Sequence, residues 1–214
     1  MNVIIILVPL IATIFGVMYY YNSKEFTELL LAQPVRRSSI FLGQYIGVAL
    51  SLSLSLIIGL GLPFLLYGIF RSSAIWDFSL LLITGTFLTF IFTALAFNIA
   101  LFNENKIKGF GYAILMWLFM AVIYDGLFLM SLLAFEEYPL DTFSLVGIMV
   151  NPIDLSRVLI LLKLDISALL GYTGAIFQRF FGTNFGMIVS SFALCLWVLI
   201  PAVLIFRKSK RKDF

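Results

Sequence analysis

The chain has 214 residues, of which 62% are hydrophobic and 12% are charged, and its mean hydropathy is +1.10. Because a soluble domain carries about 25% charged residues, this composition excludes an ordinary water-soluble domain and indicates a membrane protein. The net charge of +3 comes from basic residues clustered at a few places, so it does not indicate nucleic-acid binding.

Five apolar segments are long enough to cross a bilayer, which takes about 20 apolar residues in a helix. In chain order they are 3–21, 40–70, 78–102, 110–135 and 186–206. None shows the alternation of a β-barrel strand. The predicted fold is therefore all-α: a polytopic helical membrane protein of about five spans, forming one transmembrane domain over residues 1–214.

The segment 22–39, between the first two spans, predicts a short amphipathic helix. Asn22 and Glu25 have the spacing of a capping box, and Pro34 ends the helix because the residue before proline disfavours helical angles. The apolar stripe is formed by Phe26, Leu29, Leu30 and Gln33, the polar side by Lys24, Glu25, Thr27 and Glu28, and the basic corner that follows by Arg36 and Arg37. Two interpretations stay open: an interfacial helix anchored by arginines, or a coupling helix that docks into a cytoplasmic partner.

The loop 103–109 leads into the fourth span, which carries the acid Asp125. The loop is either a plain turn between helices or a second contact for a cytoplasmic partner through Glu104, Lys106 and Lys108. An acid inside a span is costly and indicates a functional site by default. Asp125 either pairs across a subunit interface, lines a translocation path or is protonated, or else it only joins two helices by a hydrogen bond.

The segment 136–185 is too apolar for a free loop, and its helices are too short and too polar to be two more spans. We expect a re-entrant or interfacial helical hairpin on the outer face. Asn151 has the features of a helix cap and Pro152 those of a first helical position, so a first helix is expected to about Lys163. Asp154 and Arg157 are spaced to pair. Gly171, Gly174 and Ala175 predict a close-packed second element that ends near Gly182. The hairpin is either a lid packed on its own bundle or a dock for a partner outside the membrane.

Basic residues set the expected orientation, because cytoplasmic loops carry an excess of Lys and Arg. Segments 22–39, 103–109 and 207–214 hold ten of the fourteen basic residues, so they are predicted to be cytoplasmic. The basic tail 207–214 is expected to fix topology and to meet anionic membrane lipid.

Several chemistries are absent from the sequence. It contains no histidine and no GxxxxGK[ST] loop, so it is not expected to be an enzyme or to hydrolyse ATP by that route. No catalytic, metal or cofactor site is predicted. The single cysteine, Cys195, and the methionines Met116, Met120 and Met187 are soft-ligand types, but filling space in apolar helices is their expected role.

The stretch EFTELLLAQPVRRSSIFLGQYIG resembles the first cytoplasmic segment of ABC-2 type permeases. The block NPIDLSRVLILLKLDISALLGYTGAIFQRFFG, residues 151–182, is similar to the outer loop of the NosY family, as are the Trp197–Pro201 spacing and the terminal KDF. That family is the permease subunit of the ABC complex for copper-site maturation of nitrous-oxide reductase. Its members usually have six spans, and this chain starts at what looks like their second, so a first span is expected to be missing here.

The resemblance implies a homodimer that binds a separate cytoplasmic ABC ATPase (NosF-like), which holds the ATP, and a periplasmic β-helical protein (NosD-like). It implies a bacterial inner-membrane location with a cytoplasmic C-terminus. The expected ATPase-coupling residues are Glu25, Phe26, Glu28, Leu29, Leu30, Gln33, Pro34, Arg36, Arg37 and Lys106. The expected contacts to the periplasmic partner are Asp154, Arg157, Lys163, Asp165, Tyr172, Gln178 and Arg179. The transported species, whether copper, sulfur or neither, stays open. A general ABC-2 exporter of another substrate and a non-transporting membrane scaffold are the alternatives.

Overall fold

The structure is a computed structural model that describes residues 2–66, 75–135, 140–163, 180 and 183–210. Every regular element in this part of the chain is helical, which confirms the all-α prediction. The helices are α1 (Asn2–Asn22), α2 (Lys24–Leu31), α3 (Arg37–Leu66), α4 (Ile75–Phe102), α5 (Lys106–Leu118), α6 (Tyr124–Ala134), α7 (Asp141–Val150), α8 (Pro152–Lys163) and α9 (Asn184–Ser209), with a π-helical turn, Phe119–Ile123, between α5 and α6.

Five helical stretches in the described part of the chain are long and apolar enough to cross a membrane: Val3–Asn22, Arg37–Phe64, Phe78–Phe102, Lys106–Ala134 and Phe185–Ser209. They match the five predicted spans. The fourth begins four residues earlier than predicted, because Asn105 caps it by accepting hydrogen bonds from Ile107 N and Lys108 N at 2.9 and 3.3 Å. The predicted end of the second span lies outside the described residues.

Helix α4 is the centre of the bundle and contacts α1, α3, α5, α8 and α9. Its side chains enter two apolar clusters. One surrounds Phe92 and includes Ile153 and Leu155 of α8. The other surrounds Phe97 and includes Phe41 of α3. The first cluster therefore fills one end of the bundle with residues from the α7–α8 segment, and the second fills the opposite end.

The segment α7–α8 is a pair of short helices bent by 115° at Asn151. The predicted first helix, which ends at Lys163, is confirmed with the bounds of α8. Helix α7 was not predicted, and the predicted second element near Gly171 lies outside the described residues. Helix α8 is nearly all buried, with Ile153 and Leu155 at 0% exposed, and it contacts α1, α4 and α9. Helix α8 therefore enters the bundle, whereas Phe143, Val146 and Val150 of α7 are exposed.

The capping box predicted at Asn22 is wrong. Asn22 is the last residue of α1, and Ser23 stands at the start of α2 without a side-chain cap bond. The cause is that the helical hydrogen bonding continues across the junction, where Ser23 N donates to Tyr19 O and Thr27 N donates to Ser23 O. Helix α2 is therefore attached directly to the end of the first span.

Candidate functional site

Two regions of the described chain concentrate polar side chains. The first, called here the basic face, lies where α1, α4 and α9 end and where α3 and α5 begin. Lys208 lies 3.3 Å above the Phe102 ring, which joins the end of α9 to the end of α4. The basic face carries Lys24, Arg36, Arg37, Lys106, Lys108, Arg207, Lys208 and Lys210. All the predicted ATPase-coupling residues lie on it.

Helix α2 presents an apolar side outward on the basic face. Phe26 is 60% exposed and Leu29 is 69% exposed, whereas Leu30 is half-buried. The side that faces the bundle is held by Thr27, which is buried, donates to Ser23 O at 2.7 Å and accepts from Gln44 Nε2 at 2.7 Å. The helix is thus fixed to α3 from behind while its apolar side has no cover within the described chain.

Six further members of the predicted coupling set lie on α2, in the turn that follows it and at the start of α3. Glu25, Glu28, Gln33, Pro34, Arg36 and Arg37 are all exposed. Lys24 and Glu28 form an ion pair of 3.9 Å on the surface. Such an exposed pair adds little stability, so Lys24 and Glu28 are not held strongly to each other.

The loop 103–105 lies against the junction of α1 and α2. The Tyr21 hydroxyl donates to Asn103 O at 2.6 Å, and Lys106 Nζ donates to Asn22 Oδ1 at 2.9 Å. Gly109 is required for this contact, since a Cβ there would lie 1.9 Å from the Tyr21 hydroxyl. The loop therefore lies beside the last turn of α1, from which α2 continues, and Ile107 just after the loop is exposed.

The second region is a polar network at the bend of α7–α8. Arg157 of α8 donates to Asp125 Oδ2 of α6, and its Nη1 atom lies 3.4 Å from Asp154 Oδ1. Asn151 Nδ2 donates to Asp154 Oδ2 and to Met120 O, both at 2.7 Å. The predicted pairing of Asp154 with Arg157 is confirmed, and Asp125 has a charged partner that sequence alone did not indicate.

Two further hydrogen bonds hold α7 to the spans beside it. The Tyr124 hydroxyl donates to Gly147 O at 2.6 Å, and Trp197 Nε1 donates to Met149 O at 3.1 Å. Asn151 also caps α8 by accepting from Ile153 N at 3.1 Å, as its position before Pro152 predicted. Its second role, as donor to Met120 O in the π-helical turn, could not be predicted because the acceptor is a backbone atom 31 residues away.

The predicted contacts to a periplasmic partner are only partly described. Asp154 is 5% exposed and the Arg157 side chain is 18% exposed, so both are engaged inside the bundle and a direct contact with a partner would require this network to open. The side chain of Lys163, and Asp165, Tyr172, Gln178 and Arg179, lie outside the described residues.

Within the described residues no group of three or more His, Cys, Asp or Glu side chains is arranged to hold a metal ion. Cys195, expected to be a packing residue, lies exposed on α9. Met187 is also exposed, whereas Met116 and Met120 are partly buried against the apolar cluster around Phe92.

No family model matches the chain. Among curated proteins it is similar to the probable ABC transporter permease protein NosY of Stutzerimonas stutzeri, with 28% identity over 191 residues. The matched region covers 84% of this chain and 67% of that protein. The resemblance to NosY-like ABC-2 permeases noted in the sequence is thereby confirmed.

Proposed function

We propose that this chain is the membrane-spanning permease subunit of an ABC transporter and that a separate cytoplasmic ATPase docks on its basic face. The observation that carries the proposal is the exposed apolar side of α2, formed by Phe26 and Leu29, on a helix that Thr27 and Gln44 fix to the bundle. An amphipathic helix that lays its apolar side into a groove is a common mode of protein recognition.

The attachment of α2 suits it to transmit force. It follows α1 without a break and is hydrogen-bonded to α3 through Gln44. The loop 103–105 joins the same junction to α5 through Tyr21 and Lys106. A displacement of α2 by the ATPase would therefore move α1, α3 and α5 together, and ATP binding would drive it through the different affinities of the ATPase for the two states.

The charged residues around α2 supply specificity. Glu25, Glu28, Arg36 and Lys106 are exposed on the basic face, and charges at the rim of an interface steer a partner more than they add affinity. In this proposal ATP is bound by the ATPase, this chain holds no cofactor, and Arg37, Gln33, Pro34 and Leu30 complete the docking surface.

The similarity to NosY and the 151–182 block of the sequence favour a role in copper-site assembly of nitrous-oxide reductase. By this proposal the chain forms a homodimer in the bacterial inner membrane with its basic face and C-terminus in the cytoplasm. It binds a NosF-like ATPase there and a NosD-like β-helical protein outside, for which Lys163, Asp165, Tyr172, Gln178 and Arg179 are the remaining candidate contacts.

The test is co-purification of the tagged chain from its native membranes, compared with a Phe26→Glu/Leu29→Glu variant. We expect a Walker-type ATPase to accompany the native chain and to be lost from the variant, because two carboxylates cannot enter an apolar groove without a large desolvation cost. Phe26→Leu/Leu29→Met is the matched control, which keeps the surface apolar and should retain the ATPase.

Loss of the ATPase from both variants would point to misfolding. Retention in both would reject α2 as the docking helix. If the native chain brings down no ATPase, the proposal fails and the scaffold alternative is favoured. A β-helical periplasmic protein in the same sample would support the copper-site role, and export of an unrelated substrate would support the general exporter.

A further inference from the structure

The polar network at the bend of α7–α8 places one arginine between two carboxylates that lie on different elements. Asp125 is on α6, which packs beside the α7–α8 hairpin, and it accepts a hydrogen bond from Arg157 of α8. Asp154 is on α8 itself, three residues before Arg157, with Oδ1 at 3.4 Å from the guanidinium. The arginine therefore has one counter-ion on the neighbouring span and another that moves with it.

The two carboxylates differ in the hydrogen bonds that their oxygens accept. Within the described residues, Asp154 Oδ1 is buried and accepts no hydrogen bond, although Asp154 Oδ2 accepts from Asn151 at 2.7 Å. Arg157 Nη1 is 3.4 Å from that oxygen, which is an ion-pair distance without a hydrogen bond. A buried oxygen without a donor is costly, and a second state in which Arg157 donates to Asp154 Oδ1 would satisfy it.

The cost of separating Arg157 from Asp125 is lowered by this arrangement. Breaking a buried ion pair normally leaves an uncompensated charge and costs several kcal/mol. Here Arg157 would keep Asp154 as its partner. The Asp125 side chain is 34% exposed in the described chain, so its carboxylate is not enclosed by protein after Arg157 leaves it.

The element that faces the hairpin is itself irregular. The carbonyl of Met120, to which Asn151 donates, belongs to the π-helical turn Phe119–Ile123. Single π-helical turns are rare and frequently occur at functional sites. The contacts between the hairpin and the spans beside it are thus a few directional hydrogen bonds around a locally adaptable turn, in addition to apolar packing.

From these observations we infer that Arg157 is a two-position latch of the α7–α8 hairpin. Paired with Asp125, it holds the hairpin against α6 and closes the end of the bundle opposite the basic face. When the hairpin moves away, the guanidinium transfers to Asp154 Oδ1. Arg157, Asp125 and Asp154 are positioning residues that set the balance between the two states. That the ATPase drives this movement rests on the proposed function, whereas the latch does not.

The experiment measures how fast a buried cysteine on α8 reacts with a maleimide in native membranes without added nucleotide. The α8 reporter is the substitution Ser156→Cys, since Ser156 is 0% exposed and its hydroxyl has no hydrogen-bond partner among the described residues. Exposed Cys195 is removed by Cys195→Ala. The α4 reporter is Thr93→Cys, which is equally buried in α4 beside Gly16 of α1 and reports loosening of the whole bundle.

The latch predicts effects of opposite sign for two chemically identical substitutions. Asp125→Asn removes the closed-state partner and should speed labelling of the α8 reporter by about tenfold, which corresponds to about 1.4 kcal/mol. Asp154→Asn removes the open-state partner and should slow labelling at the same position. Labelling of the α4 reporter should stay unchanged in both.

An ion pair with a purely structural role would give a different pattern. Acceleration by both substitutions, no change from either, or parallel acceleration at the α4 reporter would overturn the latch. If Asp125→Asn does not accumulate in membranes, Asp154→Asn decides alone: slower labelling of the α8 reporter supports the latch, and equal or faster labelling rejects it.

A second arm separates this inference from the proposed function. Added ATP should speed labelling of the α8 reporter in membranes that contain the ATPase, and Phe26→Glu/Leu29→Glu should abolish that response to ATP. Opposite effects of the two Asp→Asn substitutions with no response to ATP would keep the latch and reject the ATPase as its driver.

Discussion

At the scale of single residues, glycine is most clearly required at positions where a second element lies too close to leave room for a Cβ atom. Gly109 faces the Tyr21 hydroxyl, and Gly147 faces the Phe128 ring, which a Cβ would approach to 2.3 Å. Both contacts lie in the regions described above, one on the basic face and one beside the hairpin. Neighbouring glycines are not constrained in this way: Gly111 and Gly126 have no atom within 4 Å of an added Cβ.

These differences predict the outcome of a pair of substitutions in α5. Gly109→Ala should lower the free energy of unfolding by about 1–3 kcal/mol, because the Tyr21 hydroxyl must leave its bond to Asn103 O. The measurement is the thermal unfolding midpoint of the purified chain in detergent.

Gly111→Ala is the control for that substitution. It adds the same methyl group to the same helix without a clash, and alanine favours a helix over glycine by about 0.8–1.0 kcal/mol. We therefore expect its midpoint to be equal to that of the unchanged chain or higher. A similar decrease in both variants would contradict the role assigned to the Tyr21 contact.

At the scale of elements, α2 owes its position to one interhelical hydrogen bond. Its amphipathic pattern was predictable because residues that share a side recur every three or four positions. Which side faces outward was not, since an apolar side can cover the bundle, lie on lipid or meet a partner. The Thr27–Gln44 bond decides this, because it turns the polar position 27 inward and leaves Phe26 and Leu29 outside.

Removing that bond should uncouple α2 from α3. Thr27→Val keeps the shape of the side chain but leaves the Gln44 amide without its acceptor, which costs about 1 kcal/mol. We expect the permease to stimulate the ATPase less. The measurement is the ratio of the ATPase activity with the permease to the activity without it. Thr86→Val is the control, since Thr86 donates to Leu82 O of its own helix and to no other element in the described part of the chain. Equal ATPase stimulation in both variants would exclude Thr27 from force transmission.

At the scale of the whole molecule, the basic residues of the described chain lie mostly at one end of the bundle, the basic face. The basic face gathers the ends of α1, α4 and α9 and the starts of α3 and α5, so the five spans must alternate in direction. Trp76, which is 74% exposed, lies near the start of α4 and therefore at the opposite end from the basic face.

The orientation of the chain follows as a prediction. In a Cys195→Ala background, Ser23→Cys and Lys210→Cys should react with a membrane-impermeant maleimide only in inside-out vesicles, and Trp76→Cys only in right-side-out vesicles, because basic segments are retained in the cytoplasm. Gel-shift labelling measures this. The reverse pattern at all three positions would invert the proposed topology and place α2 out of reach of a cytoplasmic ATPase.

Sequence patterns alone predict the spans, their all-helical nature, the helical start at Pro152 and the amphipathic helix. These features depend on hydropathy, periodicity and capping, which act between residues close together in the chain. The sequence also identified Asp125 as a costly acid inside a span and predicted that Asp154 pairs with Arg157. The capping box at Asn22 failed because hydrogen bonding continued from α1 into α2, and α7 was missed because its ten residues resemble any short apolar stretch.

Only the tertiary structure decided what these residues do to one another. Asp125 meets Arg157 32 residues later, Asn151 meets the Met120 carbonyl 31 residues earlier, and Lys106 meets Asn22 84 residues earlier. Such partners are fixed by how the helices pack around α4 and by the bend of 115° at Asn151. In apolar surroundings a polar group must find a partner, but local sequence does not specify which one.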